Sequence, residues 1–222
     1  MWCKILVLVA AALCGSAAAG GEVWTPKPGD FVFSTNPKIF RPLAYRLAVA
    51  GPPTHAAMVV RRRDGSLALL EALAGDGVKL NDLTVLYGSG RSDVLVRRLR
   101  IALNHIEESR LQDWVCRQDG KPYAGLGPAM APAVGLPIRV GPVTRRALLD
   151  TEAPGWFCSQ LAVAAGVATG RISRYDANPR FTDPQDLCWG RVLDIGYAWE
   201  RPIRIDTRSR TTQHGQPGLH LR

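Results

Sequence analysis

Beyond residue 28 the chain sets short apolar blocks between turn-forming residues, and only in its second half do apolar positions take up helical spacing. Pro28-Gly29-Asp30 leads into Phe31-Val32-Phe33-Ser34, which reads as a first strand. A short helix is expected from about Leu43 to Ala50. Gly51-Pro52-Pro53 ends it, because glycine suits a helix C-terminus and proline cannot continue one. His55 then enters the next strand straight from a rigid turn. That strand, His55 to Arg62, and the following one, Ser66 to Ala72, are separated by Arg63-Asp64-Gly65 and form a hairpin. Val78 to Leu86 and Val94 to Arg100 read as further strands. From about Glu107 to Arg117, Leu111, Trp114 and Val115 recur at helical spacing and mark a core-facing helix. Residues 125 to 155 are rich in Gly, Pro and Ala with little periodicity; so long an irregular connection suits a lid or wall beside a site. After Pro154-Gly155, Cys158-Ser159-Gln160-Leu161-Ala162-Val163-Ala164-Ala165 reads as a helix, and Arg191 to Ile195 as a closing strand.

The hairpin register decides which side chains share a face with His55, since a slip of one residue moves every side chain to the other face. A three-residue loop with Gly65 in the left-handed position pairs Arg62 with Ser66. It therefore sets Ala57 opposite Glu71, one diagonal step from His55. A two-residue Asp64-Gly65 turn would set Glu71 opposite Met58, on the other face. The longer loop is the expectation adopted here, and it makes Glu71 the residue to orient His55 and stabilise its cation.

An ordinary thiol is mostly protonated at neutral pH and attacks poorly; a helix N-terminus and a neighbouring imidazole are the features that activate one. Cys158 has the first by its place in the opening turn, where unpaired backbone N–H groups favour negative charge and can hold an oxyanion. His55 is the candidate for the second. The plainer alternative is a buried structural cysteine at a helix start. His105, beside Asn104, reads as a capping or surface residue, and His214 and His220 fall in the C-terminal tail.

Several landmarks occur in a telling order: Gly29-Asp30-Phe31-Val32-Phe33, Thr54-His55-Ala56-Ala57-Met58-Val59, Leu70-Glu71-Ala72 with Gly77-Val78, and Gly120-Lys121-Pro122-Tyr123. Phe157-Cys158-Ser159-Gln160-Leu161 and Asp183-Pro184-Gln185-Asp186-Leu187 complete it. In this the chain resembles the permuted papain-like amidases of the YiiX/YebB-like type, circularly rearranged relatives of the NlpC-type cysteine peptidases in which the histidine precedes the cysteine. A similar order occurs in lipid acyltransferases of the lecithin-retinol type. The resemblance implies an α+β papain-like domain, an antiparallel sheet packed against helices, with Cys158, His55 and Glu71 catalytic. It also implies a substrate-binding role for Tyr123, with Trp156, shortly before the cysteine, as a second substrate-binding candidate, and an amide substrate: a peptide, a peptidoglycan fragment or an N-acyl compound. The family often has an acid directly after this tyrosine, where the present chain has Ala124.

Composition adds the compartment. Met1-Trp2-Cys3-Lys4 followed by the apolar Ile5 to Leu13 is too short for a permanent membrane anchor, and Ala17-Ala18-Ala19 suits a signal peptidase. Residues 1–19 are thus expected to be a signal peptide, 20–200 the catalytic domain and 201–222 a basic, disordered tail. The chain is expected to be exported, periplasmic or secreted; Leu13 makes Cys14 a poor lipidation site. Loss of Cys3 and Cys14 would leave Cys116, Cys158 and Cys188, an odd number. Cys116 and Cys188 either bridge or are buried hydrophobes, while Cys158 stays free. The formal net charge of +9 fits an anionic envelope polymer; with no nucleic-acid motif, the arginines at 61–63, 97–98 and 145–146 read as solvated faces. No metal spacing, P-loop or dinucleotide fingerprint is present in the sequence, and no cofactor is expected.

Overall fold

The computed structural model describes residues 24–35, 52–88, 92–124, 152–174, 182–190 and 193–205. The expected leader, the helix at 43–50 and nearly all of the lid at 125–155 lie outside the described residues. Among these residues, six strands form one sheet: β1 (Phe31–Thr35), β2 (His55–Arg61), β3 (Leu67–Leu73), β4 (Gly77–Asp82), β5 (Ser92–Arg97) and β6 (Ile203–Arg204). Their order is β4-β3-β2-β1-β5-β6, and every neighbouring pair is antiparallel. Among the described residues, four helices accompany them: α1 (Val85–Gly88), α2 (His105–Gln118), α3 (Cys158–Ala168) and α4 (Pro184–Trp189). The architecture is mixed α+β.

The two faces of the sheet follow from strand alternation. Phe31, Phe33, Ala56, Met58, Val60 and Leu70 face one core with Leu111 and Trp114 of α2 and Leu161 and Ala164 of α3. Val32, Ala57, Val59, Leu69, Val94 and Val96 face a second with Trp24, Leu86 and Ile205. Helix α3 is apolar all round and buried from Cys158 through Gly166, as a helix enclosed by a domain should be. Helix α2 is two-faced and starts at a capping box: Asn104 Oδ1 accepts from the Glu107 backbone, and the Glu107 carboxylate accepts from the Asn104 backbone.

The hairpin has the three-residue loop. Met58 pairs with Leu70 and Arg61 with Leu67, and the Arg62 N–H donates to the Ser66 carbonyl at 2.8 Å. Gly65 takes a left-handed φ of 87°, and Asp64 Oδ1 accepts from the Ser66 backbone at 2.8 Å, closing the turn.

Four expectations are corrected. The strand expected from Val78 to Leu86 stops at Asp82, and Val85 and Leu86 belong to the single turn of α1. The closing strand is Ile203–Arg204, paired with Leu95 and Val96, rather than Arg191 to Ile195; Leu193–Ile195 carry no strand. Residues 201–205 therefore belong to the folded domain instead of a disordered tail, and Ile205 is buried. Arg97, expected on a solvated face, is buried and donates to the carbonyls of Glu200, Leu187 and Cys188, tying β5 to the end of α4.

Candidate active site

Cys158 is the first residue of α3, with Phe157 as N-cap. The Leu161 N–H is bonded to the Phe157 carbonyl at 2.9 Å, as the first turn of a helix requires. The N–H groups of Cys158, Ser159 and Gln160 precede it and have no intrahelical acceptor. Gln160 fixes the entry: its side-chain oxygen accepts from the Phe157 backbone N–H at 3.3 Å. Ser159 Oγ donates to the Thr182 carbonyl at 2.6 Å and ties this turn to the segment before α4.

The lead-in to Cys158 is held from the other side by the segment after α2. Tyr123 and Trp156 form a parallel bridge in which the Trp156 N–H donates to the Pro122 carbonyl at 3.1 Å and the Ala124 N–H to the Trp156 carbonyl at 2.9 Å. That segment is itself bonded to the start of β4, the Val78 N–H donating to the Lys121 carbonyl at 2.8 Å. The helix start is thus referenced to the same sheet that carries the histidine.

His55 opens β2. Its Nε2 lies 2.7 Å from Glu71 Oε2, across the hairpin whose loop length fixes their common face. The Cys158 side chain lies close enough to the same imidazole to raise its pKa as a hydrogen-bonding and charged neighbour. With Nε2 given to the carboxylate, Nδ1 is the ring nitrogen left to the sulfur. Burial by itself drives the imidazole towards neutrality, but the hydrogen bonds to Cys158 and Glu71 and their negative charge outweigh it, raising the pKa from 6.5 to about 9. That direction favours the cationic imidazole. Glu71 is fully buried at 0 % exposure, and Asn81 Nδ2 donates to its second oxygen, Oε1, at 2.9 Å. Cys158 and His55 are 3 % and 5 % exposed, so access to the pair is narrow.

The sequence-predicted residues divide. Cys158, His55 and Glu71 converge. Tyr123 is half-buried and packs its ring edge-on to Phe157, the residue before Cys158, at a centroid distance of 5.7 Å. Trp156 does not line a cleft: it is 2 % exposed, gives its indole N–H to Gln118 Oε1 at 3.0 Å, and meets Trp114 edge-on. Its role as a substrate contact is corrected to that of a core anchor, since an aromatic flanking a reactive cysteine has the same sequence signature in either place. Cys116 and Cys188 are unbridged, the first exposed and the second buried, and Cys158 is also a free thiol. Asn81 was not singled out from the sequence. Its signal was the second hairpin, whose Leu73↔Gly77 register puts Asn81 opposite Leu69 and diagonal to Glu71. Among the described residues no group of three or more His, Cys, Asp and Glu side chains is arranged to hold a metal ion.

No family model matches the sequence, and no curated protein matches it. Among solved structures, the fold is similar to the crystal structure of metalloprotein YiiX from Escherichia coli O157:H7, a DUF1105 protein. The match has a TM-score of 0.44 and 19 % identity, and covers 82 % of this chain and 90 % of that one. A likeness so distant bears on neither the site nor its chemistry.

Proposed function

We propose that the protein is a permuted papain-like cysteine hydrolase that cleaves an amide bond through a thioester on Cys158. The observation that carries this reading is the double engagement of one buried imidazole, with Glu71 on Nε2 and a free thiol at a helix start on the other side.

The chemistry follows from those contacts. Cys158 Sγ gives its electron pair to the carbonyl carbon, forming a C–S bond while the carbonyl oxygen becomes an oxyanion. The N–H groups of the first turn of α3 are donors for that charge. As the oxyanion collapses the C–N bond breaks, and the proton on His55 Nδ1 passes to the departing amine. Water then gives a proton to the now neutral His55 and attacks the thioester; the C–S bond breaks, releasing a carboxylic acid and restoring Cys158. Glu71 keeps Nε2 as the donor and stabilises the imidazolium throughout, without itself changing protonation. A cationic resting His55 suits this sequence, because the first proton it must deliver is already in place.

The substrate class we assign is an acylated amine of the cell envelope, a peptide of the wall or an N-acyl compound. It follows from the expected export signal and the net charge of +9 rather than from the site. The reading is tested by activity-based labelling with amide- and ester-directed electrophiles. The intact chain should label on Cys158, and Cys158→Ala and His55→Ala should abolish labelling. Equal labelling of His55→Ala would overturn the hydrolase.

A further inference from the structure

The carboxylate that orients the histidine is itself oriented. Glu71 is buried with one oxygen on His55 and the other on Asn81 Nδ2 at 2.9 Å, so the carboxyl plane is fixed at both ends. The residue directly opposite Glu71 on β4 is Lys79, yet its ammonium is turned to Asp76 Oδ1 at 2.7 Å, in solvent. The donor on Oε1 of Glu71 is a neutral amide from the diagonal position. A lysine there would neutralise the carboxylate and take from it the charge that holds the His55 cation, whereas an amide fixes its direction and leaves that charge in place.

The geometry points to Asn81 as a positioning residue that extends the Cys158–His55–Glu71 series by one hydrogen bond. It sets the orientation of Glu71, through it the tilt of the imidazole, and so the alignment of Nδ1 on the sulfur. This rests on the hydrolase reading above, and Asn81 touches neither sulfur nor substrate.

The test is the rate of Cys158 alkylation by iodoacetamide as a function of pH, followed on the Cys158-containing peptide by mass spectrometry, together with the His55 pKa by NMR. Asn81→Ala should slow alkylation at pH 7 about tenfold and lower the His55 pKa, because a carboxylate free to turn holds the imidazolium less well. Asn81→Gln, which restores an amide donor, should recover part of both. Asn81→Ser, smaller and compatible with the part-buried strand position, gives the same comparison if Asn81→Ala is poorly folded. Native rates and an unchanged His55 pKa in folded Asn81 variants, with Glu71→Gln still slow, would overturn the role of Asn81 and leave the hydrolase standing. Native rates in Glu71→Gln and His55→Ala as well would overturn the catalytic reading itself, and Asn81 with it.

Discussion

Gly155 passes so near Pro122 that a β-carbon on it would stand 2.8 Å from the Pro122 carbonyl oxygen, the same oxygen that accepts the Trp156 N–H. The bridge that seats the start of α3 therefore depends on a missing side chain three residues before the thiol. Gly155→Ala must push Pro122 away or lengthen that hydrogen bond. Overpacking of this kind costs about 1–3 kcal/mol. The expected outcome is a loss of that size in denaturant unfolding, with a larger proportional fall in Cys158 alkylation, because the displaced bridge holds the cysteine's lead-in. A loss of stability with reactivity unchanged would show that the bridge serves the core alone.

The raised His55 pKa has a sign that can be checked. A histidine whose pKa is higher in the folded state than in the unfolded one adds stability in full below the unfolded value, and loses it as pH climbs through the folded value. With 6.5 as the ordinary value and about 9 in the fold, stability should decline across that interval, and activity should have an alkaline limb near its upper end. Glu71→Gln removes the negative charge on Nε2, so the limb should move to lower pH and the decline should narrow. Thermal melts and pH–rate profiles of the two proteins measure this. An alkaline limb at the same pH in Glu71→Gln would show that the carboxylate does not set the histidine.

His55 and Glu71 were legible together because a single short loop connects their strands and its length dictates the pairing. Cys158 was legible because Pro154-Gly155 marks where its helix begins. Convergence of the two segments was not, since nothing local relates residues about a hundred positions apart. Asn81 is not legible in the same way, because it takes the register of a second hairpin, β3 with β4, to place it. Strand β6 is illegible for a different reason: two residues leave no period, and the apolar run at 192–195 has the stronger strand signature. Arg97 shows the limit of reading charge as exposure, because a guanidinium that finds three carbonyls can be buried.

The three described cysteines should respond differently to thiol reagents. Cys116 is exposed on α2 and should react with large and small reagents alike. Cys188 is buried, which pushes its thiol up to about 12 against the opposing pull of Arg97, and it should resist every reagent until the protein unfolds. Cys158, with little exposure but an imidazolium partner, should react quickly with iodoacetamide and slowly with bulky disulfide reagents. Peptide-resolved mass spectrometry distinguishes the three. Equal rates at Cys158 and Cys188 in the folded protein would mean that neither thiol is activated.

Arg97 should be a structural hinge-pin with no part in the chemistry. Its Nε donates to the Glu200 carbonyl at 2.8 Å and its NH1 to the Leu187 carbonyl at 3.0 Å, so one side chain closes the end of α4 and the approach to β6 onto β5. Arg97→Met keeps the length and apolar stem but leaves those buried carbonyls without a donor, at roughly 1–3 kcal/mol for each group left unsatisfied. Arg97→Lys should recover little, since a single ammonium cannot fork between acceptors on two segments. Both variants should unfold at lower denaturant concentration while their folded fraction alkylates Cys158 at the native rate. A selective loss of Cys158 reactivity with stability intact would instead connect α4 to the site, through the bond from Ser159 to Thr182 just before that helix.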